Sequence, residues 1–336
     1  SWEAEVTIDT SVRWKNVYLI SDPSWDARSA KIDFKIILDK MIKEADINED
    51  DFKVKLYSEL LDAFLNNLSF NDKFMHDILT LAAIKGHWAR TTNLVMQSMA
   101  YARQDKTTPN KRQPISIDDV GQLISKRTWE TWYCITTNLH NPASKSSFQD
   151  TNFINLYTWW LVEAAINDSW LDRNNIALSP ADIWWIKATD EIGDELGLEH
   201  DIIVRKRRDY NIKGKLVIQV FWDVEWKDVL ILDDMLDTWW TIVTLLEEML
   251  KKNPKSISLI ITHGMFNKDA YAKLQKVIDN SNGVIKNVYI SDSINKKWLP
   301  DYVKVIKSTN ILANVITSIF KWYSVNRWDN TDYTNI

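Results

Sequence analysis

Short apolar runs alternate with amphipathic stretches along almost the whole chain. Runs of four to seven residues rich in Val, Ile, Leu, Thr and Tyr occur at Asn16–Ser21, Thr92–Gln97, Tyr133–Thr137, Asp201–Val204, Leu216–Phe221, Asp228–Leu232, Ser256–Thr262 and Asn287–Ser291. Between them, apolar residues recur at helical spacing over Phe74–Lys85, Ile117–Lys126, Ala188–Leu196, Ile242–Lys252 and Asp269–Ile278. Brief apolar runs separated by helices predict strands buried on both faces, the pattern of parallel sheets. The predicted fold class is therefore α/β, with mainly parallel sheets flanked by helices. Residues 31–72 break the rhythm. Their charged helical pattern around Asn48-Glu49-Asp50-Asp51 predicts a helical insertion between the first strand and the helix that starts near residue 74. No repeat with a period of 20–50 residues is visible.

With 336 residues, the chain has room for two domains of about 150 residues each. We divide it into residues 1–157, residues 158–320 and a polar tail over 321–336 that predicts a frayed end. Net charge is −5, from 41 basic and 46 acidic residues. That balance argues against a general nucleic-acid binder. No apolar run approaches the roughly 18 residues a membrane-spanning helix needs, and no secretory leader is visible after Ser1. A single cysteine, Cys134, excludes an internal disulfide and a cysteine-based zinc site, and fits a cytoplasmic protein.

One ratio changes the picture. The chain has 7 Gly and 18 Trp, whereas average usage would give roughly 24 glycines in this length. The shortfall in glycine is about the number of tryptophans. Trp159-Trp160, Trp184-Trp185 and Trp239-Trp240 are doublets, and Trp222 and Trp226 flank a turn-like Asp-Val-Glu. We read most of these positions as encoded glycine, because the codon UGA means Trp in some genetic codes and Gly in others. The alternative is a genuinely Trp-rich chain.

The densest chemistry lies in Val229-Leu-Ile-Leu-Asp233-Asp234-Met-Leu-Asp237-Thr238-Trp239-Trp240-Thr241. An apolar strand ends in carboxylates, and a short loop leads into a helix at Ile242. A helix N-terminus offers unpaired N–H groups and the positive end of the dipole, which suit phosphate. Carboxylates beside it can reach ribose hydroxyls or a magnesium ion. Backbone that cradles a phosphate favours glycine. With glycine at 239 and 240, the segment closely resembles the phosphoribosyl-pyrophosphate loop of type I phosphoribosyltransferase folds.

Further segments narrow the resemblance. Tyr101-Ala-Arg103-Gln104-Asp105, followed by Lys111-Arg112-Gln113-Pro114-Ile115-Ser116, resembles a stretch of the ribose-phosphate pyrophosphokinase (PRPP synthetase) family. So do Asn138-Leu139-His140, Ser179-Pro180-Ala181-Asp182-Ile183-Trp184-Trp185, Lys206-Arg207-Arg208 and Thr262-His263-Gly264-Met265-Phe266, in the family's order. Two departures stand out: Asn138 replaces an aspartate, and Ala181 is an extra residue. Ser1–Val6 resembles the end of a motif lining an adenine pocket, with Glu3 its surviving acidic member. The family's first strand and helix are then missing from this chain.

The resemblance implies two phosphoribosyltransferase-like domains, with the insertion in the first and the phosphate loop in the second. It implies that the β,γ-diphosphoryl group of ATP moves to the 1-hydroxyl of ribose 5-phosphate. Lys206 and Arg208 would be catalytic, on a mobile loop. Arg103, Gln104, Asp105 and Glu3 would bind ATP. Asp233, Asp234, Asp237, Thr238, Trp239, Trp240 and Thr241 would bind ribose 5-phosphate, and His140 and Asp182 would hold Mg2+. The expected assembly is a homo-oligomer, a hexamer built from dimers. A non-catalytic, PRPP-synthetase-associated regulatory subunit and a PRPP-consuming phosphoribosyltransferase remain as alternatives.

Overall fold

The structure is a computed structural model. It describes residues 16–21, 70–108, 110–127, 133–149, 151–183, 185–209, 215–221, 223–236, 240–266, 270–294 and 298–320. Glu3, most of residues 31–72 where an insertion is expected, and residues 237–239 and 321–336 lie outside the described residues, as do the side chains of Lys206, Arg208 and Trp240.

The chain forms two units. In the first, β1 (Asn16–Ser21), β2 (Thr91–Met96), β3 (Tyr133–Thr137) and β4 (Asn152–Leu156) make a sheet in that order, parallel throughout. Helices α1 (Phe70–Gly86) and α2 (Ser116–Ser125) precede β2 and β3. Strand alternation sorts the core. Leu94 and Met96 join Ile78 and Leu81 of α1 and Ile117 and Ile124 of α2, whereas Val95 and Ile135 join Leu312, Ala313 and Ile316. Those last three belong to α7 (Thr309–Phe320), so the final helix completes the first unit's sandwich. The sequence division had carried the second domain to residue 320. Short-range pattern cannot tell which sheet a C-terminal apolar helix will cover.

The second unit opens with α3 (Trp159–Ser169) and β5 (Ile176–Pro180), followed by α4 (Ile186–Leu196). Next come β8 (Asp228–Met235), α5 (Trp240–Leu250), β9 (Ser256–His263), α6 (Ala270–Asn280), β10 (Ile285–Ser291) and β11 (Val303–Ile306), after an intervening ribbon. The sheet order is β11-β10-β9-β8-β5, again all parallel. At its lower edge the buried Asp228 accepts hydrogen bonds from Ser256 Oγ (2.6 Å), Lys255 Nζ (2.7 Å) and Asn175 Nδ2 (3.3 Å), which tie three consecutive strands in register. The ribbon is β6 (Ile203–Asp209) paired antiparallel with β7 (Lys215–Phe221). Both had been read as members of a parallel sheet. Their close spacing in sequence leaves no room for the crossover that parallel pairing requires.

Candidate active site

In the second unit the parallel ladder between β5 and β8 runs from Ile176↔Asp228 to Pro180↔Leu232. It is continued by a bond from the Ala181 N–H to the Leu232 carbonyl at 2.9 Å. This register delivers Asp182 to the same end of the sheet as Asp233 and Asp234, about 50 residues later in sequence. Asp234 is 3 % exposed, and its Oδ1 accepts the indole N–H of Trp185 at 3.2 Å. The Asp234 N–H donates to Asp233 Oδ1 at 3.0 Å. Burial, together with the neighbouring charges of Asp234 and Asp182, pushes the Asp233 carboxyl well above the usual carboxylate range.

The helix α5 begins at residue 240, so the segment after β8 enters a helix N-terminus directly above these carboxylates in sequence. Thr241 is half-buried in its first turn. Leu236, at the mouth of the loop, is held from both sides. Its N–H donates to the His263 carbonyl (3.2 Å), and its carbonyl accepts the Phe266 N–H (3.0 Å), so the Thr262–Phe266 segment fixes the backbone at the end of β8. Lys206 and Arg208 lie on β6, opposite Ile218 and Leu216 of β7. The backbone there is a strand rather than the loop implied by the resemblance.

The first unit gathers a second constellation. The turn after β2 is pinned on α1, where Tyr101 donates from its hydroxyl to Asn71 Oδ1 at 2.7 Å and sets its ring edge-on to Phe70 and Phe74. Gln104 follows, with its carbonyl accepting the Ile117 N–H at 3.3 Å and its side-chain oxygen accepting from the Ser116 hydroxyl. Arg103 and Gln104 are exposed, whereas Asp105 is half-buried. Asp105 Oδ2 accepts from Asn141 Nδ2 at 2.9 Å, and its Oδ1 is buried without a hydrogen-bond partner among the described residues. Asn141 also caps the 3-10 helix Pro142–Ser147 by accepting the Ala143 N–H at 3.0 Å. Its chain neighbour His140 is exposed. Asp105 is thus joined to the neighbour of His140 through Asn141, a residue the motifs do not single out. The Asn-Pro pair was its signal, since Asn before Pro marks a cap and turn. Asn138 is buried with φ 51°, and its N–H donates to the Leu156 carbonyl at 2.8 Å. Asn tolerates that left-handed backbone better than most residues.

His140 and Asp182 belong to different units. Among the described residues, no group of three or more His, Cys, Asp or Glu side chains is arranged to hold a metal ion. Asp182, Asp233 and Asp234 supply oxygen donors of the kind a hard divalent cation takes, although they are not arranged as a three-ligand group. Among the described residues no helix is long and apolar enough to cross a membrane.

Residues 61–127 match the N-terminal domain of ribose phosphate pyrophosphokinase. A ribose-phosphate pyrophosphokinase of Wolinella succinogenes is 31 % identical over 257 residues, covering 76 % of this chain and 78 % of the relative. The corresponding protein of Thermotoga maritima is 28 % identical over the same shares. The structure resembles phosphoribosylpyrophosphate synthetase from Mycobacterium smegmatis, with a TM-score of 0.67 at 18 % identity, covering 92 % of this chain and 99 % of that one.

Proposed function

The chain belongs to the ribose-phosphate pyrophosphokinase family, and from that membership we propose that it converts ATP and ribose 5-phosphate into PRPP and AMP. The observation that carries the reading is the convergence of Asp182, Asp233 and Asp234 at one sheet edge, with the entry to α5 beside them. In the reaction the 1-hydroxyl oxygen of the sugar bonds to the β-phosphorus of ATP. The bond from that phosphorus to the bridging oxygen of AMP breaks, and the hydroxyl proton passes to solvent. There is no covalent enzyme intermediate, so the protein contributes alignment and charge neutralisation.

Asp233 and Asp234 face the ribose hydroxyls in this reading, and Asp237 to Thr241 hold the 5-phosphate. Arg103, Gln104 and Asp105 bind ATP. Glu3 serves the adenine site of a neighbouring subunit, in an oligomer built from dimers. Lys206 and Arg208 neutralise charge that develops on the transferred group. Mg2+, for which Asp182 is the second unit's candidate ligand, would supply charge neutralisation of the diphosphoryl oxygens when bound. A cytoplasmic location is part of this reading, and it is supported by the single, free and buried Cys134.

The test is AMP release from ATP, ribose 5-phosphate and magnesium, measured on W185G/W239G/W240G beside the unaltered chain. Turnover in the glycine variant supports the reading, and none in either form removes it. One observation favours a non-catalytic subunit for the chain as written: the Trp185 indole occupies the Asp234 carboxylate.

A further inference from the structure

Among the described residues, nine other than glycine have φ between 44° and 63°. Four are Asn, which adopts this left-handed region readily, but three are Trp: Trp88 at 60°, Trp170 at 52° and Trp226 at 61°. A bulky side chain in that region is an outlier, because Cβ crowds the following carbonyl. Such strain persists only where the surroundings compensate for it. Here they do not: the three side chains are 62 %, 93 % and 72 % exposed, so packing contributes little to hold them.

Each of the three sits in a backbone slot that glycine ordinarily fills. Trp170 ends α3 with its N–H donating to the Asn167 carbonyl (3.4 Å), while the Leu171 N–H reaches back to Ile166 (3.2 Å). That is a Schellman cap with the left-handed residue just past the helix. The end of α4 has the same bonds, Gly197 to Asp194 (3.4 Å) and Leu198 to Gly193 (2.9 Å), at φ 63° and ψ 39°. Trp170 has φ 52° and ψ 43°. One helix therefore ends in Gly and another in Trp with one backbone geometry. Trp88 occupies the matching place after α1, its N–H donating to the Lys85 carbonyl at 3.2 Å. Trp226 is the third residue of the turn Val224–Lys227, closed by the Lys227 N–H to the Val224 carbonyl at 3.1 Å, and a positive φ at that place selects Gly or Asn.

The buried tryptophans are uneasy for a different reason. Trp160 is fully buried with an indole N–H that lacks a partner among the described residues, although buried indoles normally donate. Trp185 donates to the site carboxylate Asp234, at a place where the family resemblance carries glycine.

We propose that the protein made by its own cell carries glycine at positions 88, 170, 185 and 226, through UGA codons read as glycine. Positions 88, 170 and 226 rest on backbone geometry alone. Position 185, where φ is −91°, has no such strain and rests on the indole contact to Asp234 and the functional reading given above. With glycine there, Asp234 Oδ1 loses its indole donor. The codon reading unites features that otherwise have no common cause: a glycine deficit, a tryptophan surplus and exposed tryptophans in left-handed turns.

Two measurements test this. Tandem mass spectrometry of the protein from its source cells should find glycine at 88, 170, 185 and 226; tryptophan at any of them overturns the proposal. For the recombinant chain, thermal melting of W88G/W170G/W226G is compared with that of the matching triple-alanine variant. Both variants remove the exposed indoles, but only glycine relieves the left-handed backbone, so the glycine variant should melt higher by roughly 5 °C. An equal or lower melting temperature counts against the proposal. Neither readout involves AMP release, so the glycine assignment and the synthetase reading fail separately.

Discussion

Gly121 lies within α2, where it faces the 3-10 helix Pro142–Ser147. A Cβ placed on it would stand 2.5 Å from the Ser147 carbonyl oxygen, 2.7 Å from the carbonyl carbon and 2.9 Å from Ser147 Cβ. Two effects compete in Gly121→Ala. Helix propensity favours alanine by about 1 kcal/mol. Against it stands overpacking, which costs about 1–3 kcal/mol when neighbours can shift. The obstruction here is main chain, which cannot rotate away, and Ser147 is further held by its hydroxyl donating to Asp118. The upper part of the range applies, and a net loss of about 2 kcal/mol is expected. That corresponds to a melting temperature roughly 4–8 °C lower for a unit of this size. The displaced helix begins at the cap Asn141, which donates to Asp105. The variant should therefore also raise KM for ATP more than KM for ribose 5-phosphate. Urea unfolding and AMP-release kinetics measure the two effects. A variant as stable as its parent would show that propensity outweighs the clash, and the close-packing argument would fall.

Asp233→Asn should lower AMP release by about 10²–10³ yet raise thermal stability. Because the folded state holds the Asp233 proton more tightly than the unfolded chain, its contribution favours folding on the acid side and is lost as pH rises through the raised folded value. Melting followed from pH 5 to 8 (roughly) should therefore decline less in the variant, and parallel curves would argue against a raised Asp233. Asn141→Ala, which removes the cap and the Asp105 contact, should raise KM for ATP with kcat little changed; an unchanged KM would leave Asn141 a purely local cap. In the glycine form, Lys206→Ala and Arg208→Ala should lower kcat far more than they raise KM for ribose 5-phosphate, and near-normal turnover would remove both from the catalytic assignment. Calorimetric titration with ribose 5-phosphate should find binding in W239G/W240G and none in the unaltered chain; equal affinity would displace the 5-phosphate from this loop.

Local pattern determined the elements with enough apolar residues to declare a period. Asn16–Ser21 and Tyr133–Thr137 were read with the bounds observed, and the strand over Asp228–Leu232 was found, with its C-terminal carboxylates. Strands Asn152–Leu156, Ile176–Pro180 and Val303–Ile306 escaped, as did helices Trp159–Ser169 and Thr309–Phe320. Val303–Ile306 is too short to display a period, Asn152–Leu156 is interrupted by Asn155, and Ile176-Ala-Leu-Ser-Pro owes its strand state to pairing with β8. The site residues were legible through motif order, but their grouping was not. Asp182 meets Asp233 because the β5–β8 register sets both at one height, and Asp105 meets the segment of His140 because Asn141 reaches it. The glycine shortage stood open in the composition. Which tryptophans are misfits became visible only in three dimensions, because the sign of φ is set by where a helix stops and how a turn closes, and hydrophobic pattern does not record it.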